Sequence, residues 1–292
     1  MNSLGKVTNK AAFFTVVYPG VEKYLPDFFR SLENQSCPAF DLIVANDGLQ
    51  DLDLNGYHLN SQIIDLTGSP VEIRAMGLQL IKSMGYEHII FGDSDDFFST
   101  NRVESSLWQL RECDIVVNDL DLVNERGELL LSGYFSQRLG KTKHIEANFI
   151  RDKNIFGLSN TSVRSACLPE EKYPAGLVAM DWFLFAKVLE SGANAVFSSE
   201  CSTYYRQHGA NIAGFAETSP QKTLQSVKVK ALHYAALASE GMPFYQNPAV
   251  EFELLHQRLL QDVAFRGKYF AFLQSTIADF PFWWEDAPLP EE

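Results

Sequence analysis

The alternation of apolar strands with amphipathic helices over residues 13–92 constrains this chain more than any other feature. FFTVVY (13–18) reads as a buried strand. EKYLPDFFRSLENQ (22–35) reads as a helix, with Tyr24, Leu25, Phe28, Phe29 and Leu32 at helical spacing and Pro26 in its first turn. FDLIVAN (40–46) is a second strand that runs into the turn composition DGLQD, and SQIIDL (61–66) is a short third. SPVEIRAMGLQLIKSMG (69–85) carries a full helix signature: Ser69 as N-cap, Pro70 at the first helical position, Glu72 completing a capping box and Gly85 closing the end. YEHIIFG (86–92) is a fourth strand. This order predicts an α/β fold with a mixed, mainly parallel sheet and flanking helices. In open sheets of that kind ligands bind beyond the carboxyl ends of the strands.

From about residue 112 the pattern becomes mixed. CDIVVNDLDLV (113–123), the turn NERGE and LLLSGYF (129–135) read as an antiparallel pair, DWFLFAKVLESG (181–192) as a helix closed by Gly192, and NAVFSS (194–199) as a strand. Beyond about 218 two long amphipathic helices are expected, the second running through NPAVEFELLHQRLLQDVAFRGKYFAFLQSTI, followed by FPFWWEDAPLPEE. The expected division is therefore a sheet domain over 1–217 and a C-terminal helical extension over 218–292 packed on it. Phe280, Phe282, Trp283 and Trp284 are expected to pack into the core rather than against a second subunit or a membrane surface.

Composition removes several classes of function. With 46% hydrophobic residues in 292, the chain has enough apolar surface for a large core. The balance of 24 Lys+Arg against 37 Asp+Glu gives a net charge of -13, which opposes nucleic-acid binding. The longest apolar runs fall short of the roughly 20 residues that span a bilayer, and MNSLGKVTNK is a poor signal-peptide start. A cytoplasmic protein is expected, with peripheral contact at the inner face of a membrane, or contact with a second copy, open to its C-terminal helices. Cys37, Cys113, Cys167 and Cys201 form no CxxC pair and suggest neither a zinc site nor a disulfide framework.

The chemistry concentrates in HIIFGDSDDFF (88–98), where Asp93, Asp95 and Asp96 follow an apolar strand. Each carboxylate raises the cost of ionising the next, so a positive partner is expected. A hard divalent ion, Mg²⁺ or Mn²⁺, takes oxygen ligands and keeps positions for substrate phosphates. The same four residues would equally turn the chain and cap the next helix. Asp47, at the end of the second strand, and Arg74, on the helix before the fourth, are each weak signals: Asp-Gly is a common turn, and a helical Arg is commonly a solvated charge.

The ordered combination is more specific. EKYLPDFFRSLENQSCPAFDLIVANDGLQD, IRAMGL, IIFGDSDDFF, AMDWFLFAKVLESGANAVF and YYRQHGANIAG together resemble the family 2 inverting glycosyltransferases of the GT-A fold, over residues 13 to about 214 and in that family's order. The resemblance implies a Rossmann-like nucleotide-diphospho-sugar transferase that works in glycan or cell-envelope polysaccharide synthesis. Its implied donor is foremost a UDP-sugar, its cofactor Mn²⁺ or Mg²⁺, and its acceptor a glycan, lipid-linked or protein hydroxyl. Carried over, Asp47 contacts the nucleobase, Arg74 the base or phosphates, Asp93 the ribose and Asp95 the metal on the diphosphate. His208 is a further metal ligand or phosphate contact, although a lone His is at least as commonly a satisfied structural residue. Asp181 is the general base, where its residue type alone suggests an N-cap.

The chain departs from the family pattern at VYPG (17–20), where Val17 edges the nucleotide pocket without the usual Asn nearby, and at Asn46, Ala75 and Met180. Three other readings stand beside this one. A nucleotidyltransferase would want a glycine-rich, basic loop where the chain has YPGVEK. An aspartyl-nucleophile phosphatase would place its DxD after the first strand. A non-catalytic GT-A protein would bind a nucleotide sugar or a partner and transfer nothing.

Overall fold

The computed structural model describes residues 10–170, 173–174, 176–208 and 219–290. The first half follows the expected alternation: β1 (Ala11–Val17), α1 (Leu25–Glu33), β2 (Asp41–Asn46), β3 (Ser61–Asp65), α2 (Pro70–Ser83) and β4 (His88–Phe91). β1 pairs in parallel with both β2 and β4, and β2 in parallel with β3. Parallel strands covered on both faces need apolar side chains in both directions, and β1, AAFFTVV, is buried along nearly its whole length. Phe13 and Val44 face one apolar cluster with Phe28, Phe29 and Leu32 of α1. Phe14 and Ile43 face the other with Ile73, Leu78 and Ile81 of α2. The capping box of α2 forms as its sequence requires, Ser69 Oγ accepting from Glu72 N–H and Glu72 Oε2 accepting from Ser69 N–H at 2.8 Å.

The two-residue β5 (Phe97–Phe98) and α3 (Arg102–Gln109) follow, then β6 (Ile115–Val123) and β7 (Leu129–Leu131) as the expected antiparallel pair. α4 (Ser136–Leu139), β8 (Thr142–Ile145) and β9 (Thr161–Arg164) lead to α5 (Met180–Glu190) and the 12-residue β10 (Ala195–Arg206). The main path of the sheet is β3-β2-β1-β4-β9-β6-β10-β5, with β7 on β6 and β8 on β10. β9 carries the mixed character, since it is antiparallel to both β4 and β6.

The C-terminal region holds α6 (Pro220–Ser239), α7 (Gln246–Gln261) and α8 (Val263–Thr276). The apolar cluster of the sheet continues through α5 into these helices by way of Trp182, Tyr234, Tyr245 and Phe252. The long helix expected over 247–277 is two helices. Asp262 leaves helical geometry at φ -109°, ψ 101° and its side chain accepts from Phe265 N–H, so it ends α7 and caps α8. None of the described helices is long and apolar enough to cross a membrane.

Candidate functional site

The acidic segment is shaped by the strand that delivers it. Gly92 follows β4 and donates its N–H to Phe14 O at 3.1 Å. A Cβ there would lie 2.5 Å from Phe13 Cε1 and 2.6 Å from Phe98 Cζ, so only glycine lets the chain turn between these rings. Ser94 Oγ then donates to Val16 O at 2.7 Å and ties the turn to β1.

The three carboxylates have different surroundings. Asp96 is buried; its Oδ2 accepts from Ser159 Oγ and its Oδ1 from Arg206 N–H at 2.7 Å. Burial, with Asp95 and Asp93 beside it, pushes its carboxyl well above the usual range, so Asp96 is a structural acid under the turn. Asp95 Oδ2 sits 2.8 Å from His208 Nε2, and its carbonyl accepts from Arg206 Nε at 2.7 Å. Asp93 Oδ1 lies 3.7 Å from an Arg74 guanidinium nitrogen. Its carboxyl is also raised, by burial first and by Asp95, with Arg74 opposing.

Arg206 is 1% exposed and organises the far side of the segment. Beyond Asp95 O, its guanidinium donates to Glu125 O at 2.8 Å and Asp27 Oδ2 at 2.9 Å and lies over the Tyr24 ring. His208 stacks on that same ring, 5.2 Å between centroids and 24° between planes. A guanidinium held by three acceptors and an imidazole held by a ring and a carboxylate together fix Asp95.

Asp181 is delivered by α5. It is the second residue of α5, whose N-cap is Ala179, so capping is not its role. Its Oδ1 accepts from Trp182 N–H at 2.8 Å and its Oδ2 from Asn154 Nδ2 at 3.3 Å. Burial pushes its carboxyl up to about 6, the Asp93 charge adding to the effect and the Trp182 N–H and Arg74 opposing it. The helix is anchored one residue on: Trp182 Nε1 donates to Ile150 O at 2.6 Å, and its ring stacks 3.7 Å from that of His233.

A cavity of about 210 Å³ at the carboxyl ends of β1 and β4 joins these groups, and Arg74, Asp93, Asp95 and Asp181 all line it. Asp47, Val17 and His208 are not among its described lining residues. Val17 is fully buried, and its carbonyl accepts from Asp47 N–H at 2.8 Å, which fixes Asp47 beside the end of β1. His208 meets the site through Asp95. Asn46 has a local reason to be an amide: its Nδ2 donates to Asp65 Oδ1 at 2.9 Å and to Leu49 O, while its Oδ1 accepts from Leu49 N–H. An aspartate there would face a second carboxylate.

Several lining residues were not singled out individually by the sequence, although Tyr18 lies in VYPG and Tyr205 in YYRQHGANIAG. Tyr18 follows β1, Gly157 and Ser159 lie in an irregular stretch, and Tyr205 is on β10. Trp283 and Trp284 reach the same cavity from the far end of the chain. They pack into the core as expected, and they also wall the site. The aromatic density of FPFWW was a visible signal, but its destination was not. Gly209–Gly214, within YYRQHGANIAG, lie outside the described residues.

Among the described residues no group of three or more His, Cys, Asp or Glu is placed to hold a metal ion. Asp95 and His208 do fit two adjacent positions of one. Ligands about 2.1 Å from a Mg²⁺-sized ion and at right angles are about 3.0 Å apart, close to the 2.8 Å between Oδ2 and Nε2. The remaining positions would fall to phosphate oxygens and water.

No protein-family model and no curated protein matches the sequence. Solved structures do match the fold. S. aureus TarS 1–349 superposes with a TM-score of 0.58 at 19% identity, covering 88% of this chain and 76% of that one. The same protein in complex with UDP-GlcNAc gives 0.56 at 18%, covering 90% and 80%. GalNAc-T7 with UDP, GalNAc and Mn²⁺ gives 0.52 at 13%, covering 87% and 56%. At these identities the likeness is one of architecture: this chain has the mixed, mainly parallel α/β fold of the GT-A kind.

Proposed function

We propose that the protein is a metal-dependent, inverting glycosyltransferase of the family 2 kind, moving a sugar from a nucleoside diphosphate, foremost UDP, to an acceptor hydroxyl. The observation that carries the reading is the meeting in one cavity of Asp93, Asp95 and Arg74 with Asp181, a carboxylate raised to about 6 and delivered from a separate helix. A displacement at an anomeric carbon needs a base on the acceptor side and charge neutralisation on the leaving side, and this one cavity holds a candidate for each. The binding of UDP-GlcNAc by TarS and of UDP with Mn²⁺ by GalNAc-T7 supports the choice of donor.

In this reading Arg74 holds a diphosphate oxygen, Asp93 orients the ribose and Asp47 meets the base from the end of β2. Asp95 and His208 would hold the Mn²⁺ or Mg²⁺, which when bound neutralises charge on the departing diphosphate. Asp181 Oδ2 accepts the proton of the acceptor hydroxyl as its oxygen bonds to the anomeric carbon. The bond from that carbon to the diphosphate oxygen breaks on the opposite face, and configuration inverts without a covalent enzyme intermediate. Asn154 keeps Asp181 in place. The described residues 219–290 belong to a C-terminal extension whose Trp283 and Trp284 complete the cavity.

Titration calorimetry of UDP tests this reading. Binding in the presence of Mn²⁺ should be lost with EDTA and in Asp95→Ala, while Asp181→Ala should retain UDP binding and lose transfer. Equal UDP affinity with EDTA and with Mn²⁺ would show that the acidic segment holds no metal.

A further inference from the structure

The segment Phe280–Ala287 is fastened at several points. Trp283 and Asn154 exchange backbone hydrogen bonds at 2.9 and 3.1 Å. Lys230, buried on α6, donates Nζ to Trp284 O at 3.1 Å and to Asp152 O at 2.8 Å. Arg138 pairs with Glu285 and lies over the Phe282 ring at 4.1 Å, and Tyr134 donates its hydroxyl to Pro281 O at 2.9 Å. Phe280 and Trp284 both adopt positive φ, 55° and 66°, where bulky residues are disfavoured unless their surroundings force them. Such over-determined backbone is typical of ligand clamps. Gly157 completes the fit, since a Cβ there would lie 2.7 Å from Trp283 Cη2.

The result is a cavity that carboxylates and aromatic side chains line together. Tyr18, Tyr205, Trp283 and Trp284 line it beside Asp93, Asp95 and Asp181, and Arg74 is the only cation among its described lining residues. A sugar ring presents both matching chemistries, hydroxyls that donate to carboxylates and C–H faces that pack on rings. Arg74 and the divalent ion of the proposed function answer to the donor diphosphate. Asp181 and the aromatic rings that share its cavity add no positive charge of their own, and the three carboxylates disfavour an anionic acceptor.

Resting on the glycosyltransferase reading, we infer that the aromatic turn at Trp283–Trp284 is the acceptor subsite and that the acceptor it takes is a neutral saccharide unit. A polyanionic acceptor is disfavoured there. The turn also couples to the base through Asn154, which is paired with Trp283 along the backbone and with Asp181 through its side-chain amide.

Saturation-transfer NMR with neutral methyl glycosides and their 6-phosphates, on the full chain with UDP and Mn²⁺, tests the inference; UDP calorimetry is run on the same samples. A neutral glycoside should bind the wild-type protein. Trp284→Ala should weaken that binding by roughly fivefold or more and Trp284→Phe should restore most of it, while UDP calorimetry on the wild type checks the donor site. Three results would overturn the inference: no glycoside bound by the wild type, glycoside binding unchanged in Trp284→Ala, or the 6-phosphates bound as well as the neutral sugars. In each of these, normal UDP binding leaves the donor assignment standing. Failure of the wild type to bind UDP sinks the glycosyltransferase reading itself.

Discussion

Replacing Asp181 by Asn should abolish transfer and make the protein more stable. Moving a carboxyl from 3.8 to about 6 makes its ionised form about 3 kcal/mol less favourable in the fold than in the unfolded chain. Asparagine has no charge to bury. Its Oδ1 can still accept from Trp182 N–H, but its Nδ2 would face the Asn154 amide and forfeit a hydrogen bond worth about 1 kcal/mol. Asp181 is only partly buried, and water in the cavity screens some of the remainder, leaving a gain of about 1–2 kcal/mol near neutral pH. For a chain of this size that is a rise in Tm of about 2–4 °C. The pH dependence carries the sign. Below about pH 4 the group is protonated in both states and contributes nothing. Between about 4 and 6 the native state keeps a proton that the unfolded chain releases, so wild-type stability falls relative to the variant as pH rises, and above about 6 the gap is constant. Calorimetric scans of both proteins across this range read it directly. A variant no more stable than wild type at neutral pH, or a gap that does not close toward pH 4, would refute an energetically costly carboxylate at this position.

The same carboxyl sets a kinetic expectation: the transfer rate at low acceptor concentration should rise about tenfold per pH unit below about 6 and level off above it, as initial rates from about pH 4.5 to about 8 will show. Gly92→Ala should lower stability by about 1–3 kcal/mol, because the added carbon lies 2.5 Å from Phe13 Cε1 and 2.6 Å from Phe98 Cζ. The urea midpoint should fall with its slope unchanged, and UDP binding should weaken as the segment carrying Asp93 and Asp95 shifts.

What could be read beforehand depended on how local its cause was. β1, β2 and β4 announced themselves because strands covered on both faces need unbroken apolar runs, and α2 because its caps are written into Ser69, Pro70 and Glu72. β9, Thr-Ser-Val-Arg, gave no such sign: its strand character comes from β4 and β6 on either side. The break at Asp262 was hidden because apolar residues continue at helical spacing across it, and the cap competes successfully only through its bond to Phe265 N–H. In the site, Asp93, Asp95 and Asp181 stood out by type and order, whereas the separate situation of Asp96 comes from its bonds to Ser159 and the Arg206 backbone. Asn154, Gly157 and the two tryptophans did not stand out as site residues, since what makes them matter is a contact between segments far apart in sequence. The net charge of -13 spoke only to nucleic acid, and the cavity shows where part of that charge is gathered.

The central claim is that this cavity binds a nucleoside diphosphate sugar through a divalent ion. A thermal-shift panel of UDP-, GDP-, dTDP- and CMP-sugars, each with Mn²⁺ and with EDTA, tests it most directly, because a ligand that binds only the native state raises Tm. The account predicts a rise with a UDP-sugar in Mn²⁺ that vanishes with EDTA and in Asp95→Ala. No rise with any of the four donors, or a rise indifferent to the metal, would contradict it.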